Sequence, residues 1–454
     1  MQTASPAGFI QDHRPLLWAT ALGSFLPPFL GSSLNVALPV IGRELQATAF
    51  ELGLIVNAFL IAAAGMLVPL GRWADACGRA RVFTWGLLGQ ALCSAAAIFT
   101  RSVPALLLVR AAQGVAAAAT FATAVALVAQ VAPAGQKGKL LGANTAAVYL
   151  GLTLGPPTGG LLTQHLGWRS VFGASALLAL GGWALARPWG REKSPREGVA
   201  QPASLWLFAA GVSLVLGGLA MTRVQGRFAA LAALGAIAVV LSFRGSSNLP
   251  LEPALFRNTA FTFSNLAALI HYAATFSVSL FLALYLQVVG GLSPKATGFL
   301  LLAQPLLMAL LSPVAGSVSD RWEPRWVASA GMALTAGGLL VLSSAQLRVS
   351  LFQVISGLAL LGIGFALFSS PNTHAVMGQA PTKLLSAASA TLALMRLTGQ
   401  AGSLVLASFF LPASSLDTQA GKLLVPGMQA NLWVASLLCL VGMVFSLARG
   451  NVHG

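Results

Sequence analysis

The stretch Gly71-Arg-Trp-Ala-Asp-Ala-Cys-Gly-Arg-Ala-Arg81 decides how this chain is read. It is a short basic turn with a single acid, Asp75, set between two long uncharged apolar runs. A looser copy returns at Gly316-Ser-Val-Ser-Asp-Arg-Trp-Glu-Pro-Arg325, again between apolar runs. In each copy a glycine stands four residues before the aspartate, Gly71 before Asp75 and Gly316 before Asp320, and arginines close the turn. The copies are offset by roughly 245 residues in a chain of 454, so the sequence reads as two similar halves.

Composition fixes the solvent. Hydrophobic residues make up 57% and charged residues 8%, with a mean hydropathy of +0.81. A soluble domain carries roughly 25% charge, so this chain cannot cover itself with a wet surface. It is an all-α polytopic membrane protein. The 48 glycines and 23 prolines fit that class, because membrane helices use small residues for close approach and tolerate proline. The net charge of +16 sits mainly in short loops, where it sets orientation and faces anionic lipid rather than nucleic acid. Cys77, Cys93 and Cys439 show no paired spacing and suggest neither a disulfide framework nor a metal site.

A span needs roughly 20 apolar residues. Six such runs lie in residues 1–190: Leu16–Ile41, Leu52–Leu70, Val82–Thr100, Val103–Val131, Leu140–Leu162 and Val171–Ala186. The first is too long and too apolar to be a signal-peptide core. Residues 191–258 form a polar linker that encloses a shorter apolar pair at 205–243, split into Leu205–Met221 and Phe228–Phe243. Residues 259–454 hold six more runs: Phe261–Val289, Gly298–Val318, Trp326–Leu342, Leu351–Met377, Leu384–Leu411 and Val425–Leu447. The expected count is fourteen. With the N-terminus inside, sixteen Lys and Arg fall on the inner face and eight on the outer, which places both termini in the cytoplasm.

Several motifs, in order, resemble the major facilitator superfamily, and within it the fourteen-span drug:proton antiporter group. Gly71 to Arg81 is similar to that family's loop between spans two and three. Leu106-Leu-Leu-Val-Arg-Ala-Ala-Gln-Gly114 is similar to its span-four pattern, and Gly151-Leu-Thr-Leu-Gly-Pro-Pro-Thr-Gly-Gly160 to the span-five motif of its exporters. Leu34-Asn-Val-Ala-Leu-Pro39 matches the group's first span, and Leu394-Met-Arg-Leu-Thr-Gly-Gln400 a late one.

The resemblance implies two six-helix lobes plus two extra helices, alternating access, and export of amphipathic small molecules in exchange for protons. It implies a conformational latch at Gly71, Asp75, Gly78, Arg79 and Arg81, repeated at Gly316, Asp320, Arg321 and Arg325. It makes Gly151, Gly155, Pro156, Gly159 and Gly160 an export motif whose small residues allow close helix approach, and whose flat face seals one lobe against the other.

The residues themselves add a constraint. All ten acids fall at or near loops, and Leu30 stands where the group usually carries an aspartate. The polar groups left inside spans are neutral or basic. Arg110, His271, His374 and Arg396 are the candidates for coupling, and histidine titrates near neutrality. Asn35, Asn57, Gln113, Tyr272, Gln304 and Asn372 are the candidates for a cavity. Ser370-Pro-Asn-Thr-His374 reads as a helix interruption. Two arginines without acids favour anionic, zwitterionic or neutral substrates. The expected partners are a small-molecule substrate, protons and membrane lipids; a monomer in the inner cell membrane is expected, with no metal or cofactor. An anionic-metabolite or lipid exporter with histidine-based or no coupling is the alternative, and a non-transporting sensor or scaffold is a second. No clustered metal ligands or nucleotide-binding loop suggests an enzyme or an ATP-driven pump.

Overall fold

The computed structural model describes residues 6–133, 136–191, 203–244, 249–319, 321–381, 384–412 and 420–450, and no strand occurs among them. Asp320 and linker residues 192–202 lie outside the described residues.

The first lobe contains α1 (Pro6–Leu45), α2 (Ala49–Cys77), α3 (Arg79–Ile98), α4 (Val103–Val131), α5 (Lys137–Leu166) and α6 (Arg169–Ala186). A hairpin follows, α7 (Ala203–Met221) and α8 (Phe228–Ser242). The second lobe opens with the short α9 (Pro253–Phe256), then α10 (Thr259–Thr275) and α11 (Val278–Leu284), extended by a π-helical turn at Tyr285–Val289. It continues with α12 (Pro294–Leu301), α13 (Ala303–Ser319), α14 (Pro324–Ser343), α15 (Leu351–Gly378), α16 (Leu385–Ser408) and α17 (Ala420–Ala448).

Each run read from the sequence as a span falls on helix. Ten helical segments among the described residues are long and apolar enough to cross a membrane. The other four positions are α3, α5, α8 and α16. The first two open on Arg or Lys, α16 carries Arg396 and Gln400 in its interior, and α8 is a shorter apolar helix.

Local chemistry sets the helix ends. Thr48 and Glu51 form a reciprocal capping box at the start of α2, each accepting a backbone N–H of the other, at 3.2 and 2.8 Å. Ser102, Asn258, Ser293 and Ser350 cap α4, α10, α12 and α15. Between α2 and α3 the chain turns on Gly78, whose φ of 104° belongs to glycine. The interruption expected at Ser370–His374 is absent. Helix α15 runs through Pro371 unbroken, since a membrane helix tolerates proline where neighbours and side chains re-satisfy the freed backbone.

The first lobe is braced at the end away from the Gly71–Arg81 turn. Arg169 is bonded to Glu44 and donates to the carbonyls of Ile98 and Thr100 at 3.0 Å each, while Trp168 Nε1 donates to Glu44 at 2.7 Å. One carboxylate thus ties the ends of α1, α3 and α6.

The hairpin touches both lobes. Helix α7 lies on α2 so closely that a Cβ at Gly65 would stand 3.0 Å from the Ala209 carbonyl. At the hairpin turn, Arg223 donates to the carbonyls of Ser408 and Leu411 at the end of α16. Leu234, Ile237 and Val240 of α8 are 55–56% exposed, which in a membrane is a lipid-facing stripe. Arg223→Ala should therefore lower the melting temperature in detergent. Hydrogen bonds to a charged group contribute roughly 1.5–3 kcal/mol, and an unchanged melting curve would show that the cap does not hold the hairpin.

Candidate functional site

The two lobes meet along a seam built from backbone contact and neutral hydrogen bonds. Asn35 Nδ2 donates to Ser279 Oγ at 2.7 Å, Gln287 Nε2 to the Val36 carbonyl at 2.8 Å, and the Phe50 amide to the Pro412 carbonyl at 3.3 Å. Lys295 N donates to Gln164 Oε1 at 3.2 Å. These bonds lie towards the end of the bundle remote from the Gly71–Arg81 turn. Thr153 to the Pro305 carbonyl, at 3.4 Å, lies nearer the middle.

The glycine motif of α5 divides between two neighbours. Gly151 and Gly159 face α1 of the same lobe, where a Cβ would stand 2.5 Å from the Phe25 carbonyl and 2.6 Å from Ser33 Cα. Gly155 faces α1 in the same way. Only the Pro156 and Gly160 side reaches the second lobe: a Cβ on Gly160 would meet the Pro294 carbonyl at 2.5 Å, and one on Gly298 would meet Pro156 C at 2.9 Å. Most of the expected sealing face is therefore packing within a lobe, with Gly298 supplying the matching surface from the other side.

Arg110 is 1% exposed and wholly enclosed by the first lobe. Its Nε donates to the Ile55 carbonyl at 3.3 Å, its Nη1 to Gln113 Oε1, and its guanidinium lies 4.5 Å from the Phe59 ring centre. Gln113 in turn donates to Ser94 Oγ at 2.7 Å. A charged side chain in the membrane costs several kcal/mol unless paired or wetted. Here neutral dipoles and an aromatic face share that load. Asn57 is 1% exposed, and both its amide atoms lack partners.

The second lobe places its polar residues at two depths. Near the middle, Arg396 Nη2 donates to Thr373 Oγ1 at 2.7 Å, and its guanidinium lies 5.8 Å from the Tyr272 ring centre. Tyr149 of α5 reaches within electrostatic range of Tyr272 from the first lobe. His271 is fully buried against Phe368, with ring centres 4.1 Å apart, and Phe365 at 5.1 Å; neither of its ring nitrogens has a partner. Gln304 is half-buried beside Gly362 of α15.

At the end nearer the Gly71–Arg81 turn, Asn372 turns away from the seam. It donates to the Ser264 carbonyl at 3.1 Å and accepts from Arg449 Nη1 at 3.0 Å. Arg449, one of the sixteen cations that the sequence puts on the inner face, is 2% exposed, with Nε and Nη2 unpartnered. His374 is exposed there. Tyr149 was also missed: it stands among small residues, and nothing in its immediate neighbours signals a partner on another lobe.

The Gly71–Arg81 turn carries a local ion pair. Asp75 accepts from Arg79 Nε at 2.8 Å, with the Arg79 and Asp75 side chains 35% and 53% exposed. Arg72 Nη2 donates to the Leu249 carbonyl at 3.2 Å, joining the turn to the segment ahead of the second lobe. In the second copy, Arg321 is exposed, and Arg325 lies over Trp326 at 4.9 Å with its Nε unpartnered. A Cβ on Gly316 would stand 3.1 Å from Ser370 Oγ, whereas one on Gly71 would meet Ala122 at an ordinary 3.6 Å.

Two helical lobes, joined at one end through a polar seam, define a multi-pass membrane carrier. The family model of the Major Facilitator Superfamily matches residues 20–252 and 264–452, and the chain belongs to that superfamily. It is 28% identical over 447 residues to the "Riboflavin transporter RibZ" of Clostridioides difficile (strain 630), covering 94% of this chain and 95% of that protein. It is 31% identical over 396 residues to the "Multidrug resistance protein Stp" of Mycobacterium tuberculosis, covering 84% of this chain and 73% of that one. The Streptomyces glaucescens "Tetracenomycin C resistance and export protein" is 29% identical, with coverage of 82% and 71%. Among solved structures, a D-xylose–proton symporter superposes with a TM-score of 0.71 at 14% identity, covering 97% of this chain and 98% of that one. A bacterial homologue of the lysosomal transporter Spinster, in an inward-facing and unoccupied conformation, gives 0.68 at 14% identity, with 96% of each chain covered. The chain is a secondary transporter and not an enzyme.

Gly298 is the seam position with least room for a side chain. Gly298→Val should reduce transport by at least about tenfold, equivalent to ~1.4 kcal/mol on the limiting step, while the protein still elutes as a folded species. Wild-type turnover in that variant would mean that the α5–α12 contact need not close.

Proposed function

We propose that this transporter exports amphipathic small molecules by alternating access, with all fourteen helical positions crossing the inner cell membrane and both termini in the cytoplasm. The observation that carries this reading is the asymmetry of the seam. Among the described residues, hydrogen bonds joining the six-helix lobes gather away from the Gly71–Arg81 turn. Under the positive-inside orientation, that end is the outer one, and this reading takes the protein as closed outward. The drug-resistance and export names of several relatives support the direction of transport.

In this reading the Asp75–Arg79 pair is local while the cytoplasmic ends are apart. As the lobes rock, the turn docks on the second lobe and its charges exchange partners. Proton exchange is the coupling that the drug-antiporter group implies. With no carboxylate in the middle of a span, His271 is the group offered for it, uncovered when its aromatic enclosure opens. A second reading, favoured by the mid-span Arg396 and the absence of acids from the middle of the spans, is export of an anionic metabolite without proton exchange.

Reconstitution tests both. Liposomes carrying a pH-sensitive dye should report substrate-dependent proton movement if exchange operates, and substrate movement without it under the second reading. Failure to move any of the cationic, neutral and anionic compounds contradicts export of amphipathic small molecules. Asp75→Asn should slow turnover by about tenfold or more with expression retained, and a wild-type rate would remove the latch.

A further inference from the structure

Arg396, Tyr272 and Tyr149 lie near the middle of their helical segments, so they meet at mid-membrane depth. Each is half-buried. Arg396 lies over the Tyr272 ring at 5.8 Å, and Tyr149 stands on the other lobe within electrostatic range of the same ring. Arg396 is under-compensated there. One of its nitrogens donates to the Thr373 hydroxyl at 2.7 Å, but its buried Nε has no partner, and every acid in the chain falls at or near a loop.

We propose that, when the lobes part at this level, the place between them receives a planar aromatic organic anion, its acidic group paired with the Arg396 guanidinium and its ring set between Tyr272 and Tyr149. The proposal rests on the second transport reading above and names the substrate class for it. A guanidinium is a planar fork of donors suited to an acidic group, and it is strengthened where water is scarce. Aromatic rings meet one another favourably in offset or edge-on geometry. A cationic substrate would bring a second positive charge towards Arg396 in a poorly screened region, and Coulomb repulsion opposes it.

The same chemistry accounts for Leu30. An anion leaving an interior-negative cell moves with the electrical force, which alone supports a gradient on the order of fifty-fold per 100 mV. Such an exporter needs no carboxylate to trade protons.

Equilibrium dialysis of the purified full-length protein would use naphthalene-2-sulfonate and its trimethylammonium counterpart, both permanently charged. The wild type should bind the sulfonate at least tenfold more tightly. Arg396→Gln should abolish that preference, Arg396→Lys should keep most of it, and Tyr149→Leu should weaken sulfonate binding several-fold without reversing the preference. Equal or cation-favouring binding by the wild type overturns the proposal, as does sulfonate binding unaffected by Arg396→Gln in a folded protein. Liposomes with a potassium–valinomycin potential separate this site from the transport reading. Movement of the ammonium alone leaves a transporter and removes the anion class. Arg396-dependent sulfonate binding without movement of either probe supports the site and contradicts transport.

Discussion

A bilayer core solvates neither a charge nor an unpaired backbone group, and the seam between the lobes answers that constraint in a form that can be undone. Its hydrogen bonds pair neutral groups: an amide with a hydroxyl at Asn35–Ser279, an amide with a carbonyl at Gln287–Val36. Its tight contacts are backbone against glycine, as at Gly160 and Gly298. Interhelical hydrogen bonds in membranes average about 0.6 kcal/mol by double-mutant cycles and reach about 1.7. A handful of them holds one state without locking it. An ion pair at the same place would leave two exposed charges whenever the seam opened.

Permanence is confined to positions inside a lobe. The Glu44, Arg169 and Trp168 clasp joins three helix ends of the first lobe, and Arg110 is held by the carbonyl of Ile55, Gln113 and the face of Phe59. In the second lobe, Arg449 is buried against Asn372 and Ser264. These charges make each bundle a body that can move as a unit. The hairpin fits the same division, since α7 lies on α2 and Arg223 caps α16 at the end where the lobes are already joined.

Much of the fold was legible in the sequence because hydropathy and helix length report directly on the solvent around a segment. Gly78 was legible as a turn, and its positive φ explains why. Less legible was everything that depends on which helix stands opposite. The glycine spacing of α5 predicted close approach, but not that α1 would take Gly151, Gly155 and Gly159 while the second lobe took Gly160. Pro371 looked like a break because proline breaks helices in water, whereas α15 carries it through. Arg449 looked like a loop cation, and its burial follows from the packing of α10, α15 and α17. Tyr149 gains meaning only from Tyr272, more than a hundred residues away.

The account stands on the lobes moving as bodies about a reversible seam, and distances across the two ends measure that most directly. Spin labels would be placed at Leu166→Cys with Leu347→Cys on one end, and at Lys139→Cys with Trp322→Cys on the other. Cys77, Cys93 and Cys439 would be replaced, and the protein held in lipid nanodiscs. Two populations are expected, in which the Leu166–Leu347 distance lengthens as the Lys139–Trp322 distance shortens. A single unchanging distance at each end, or both ends widening together, would contradict it.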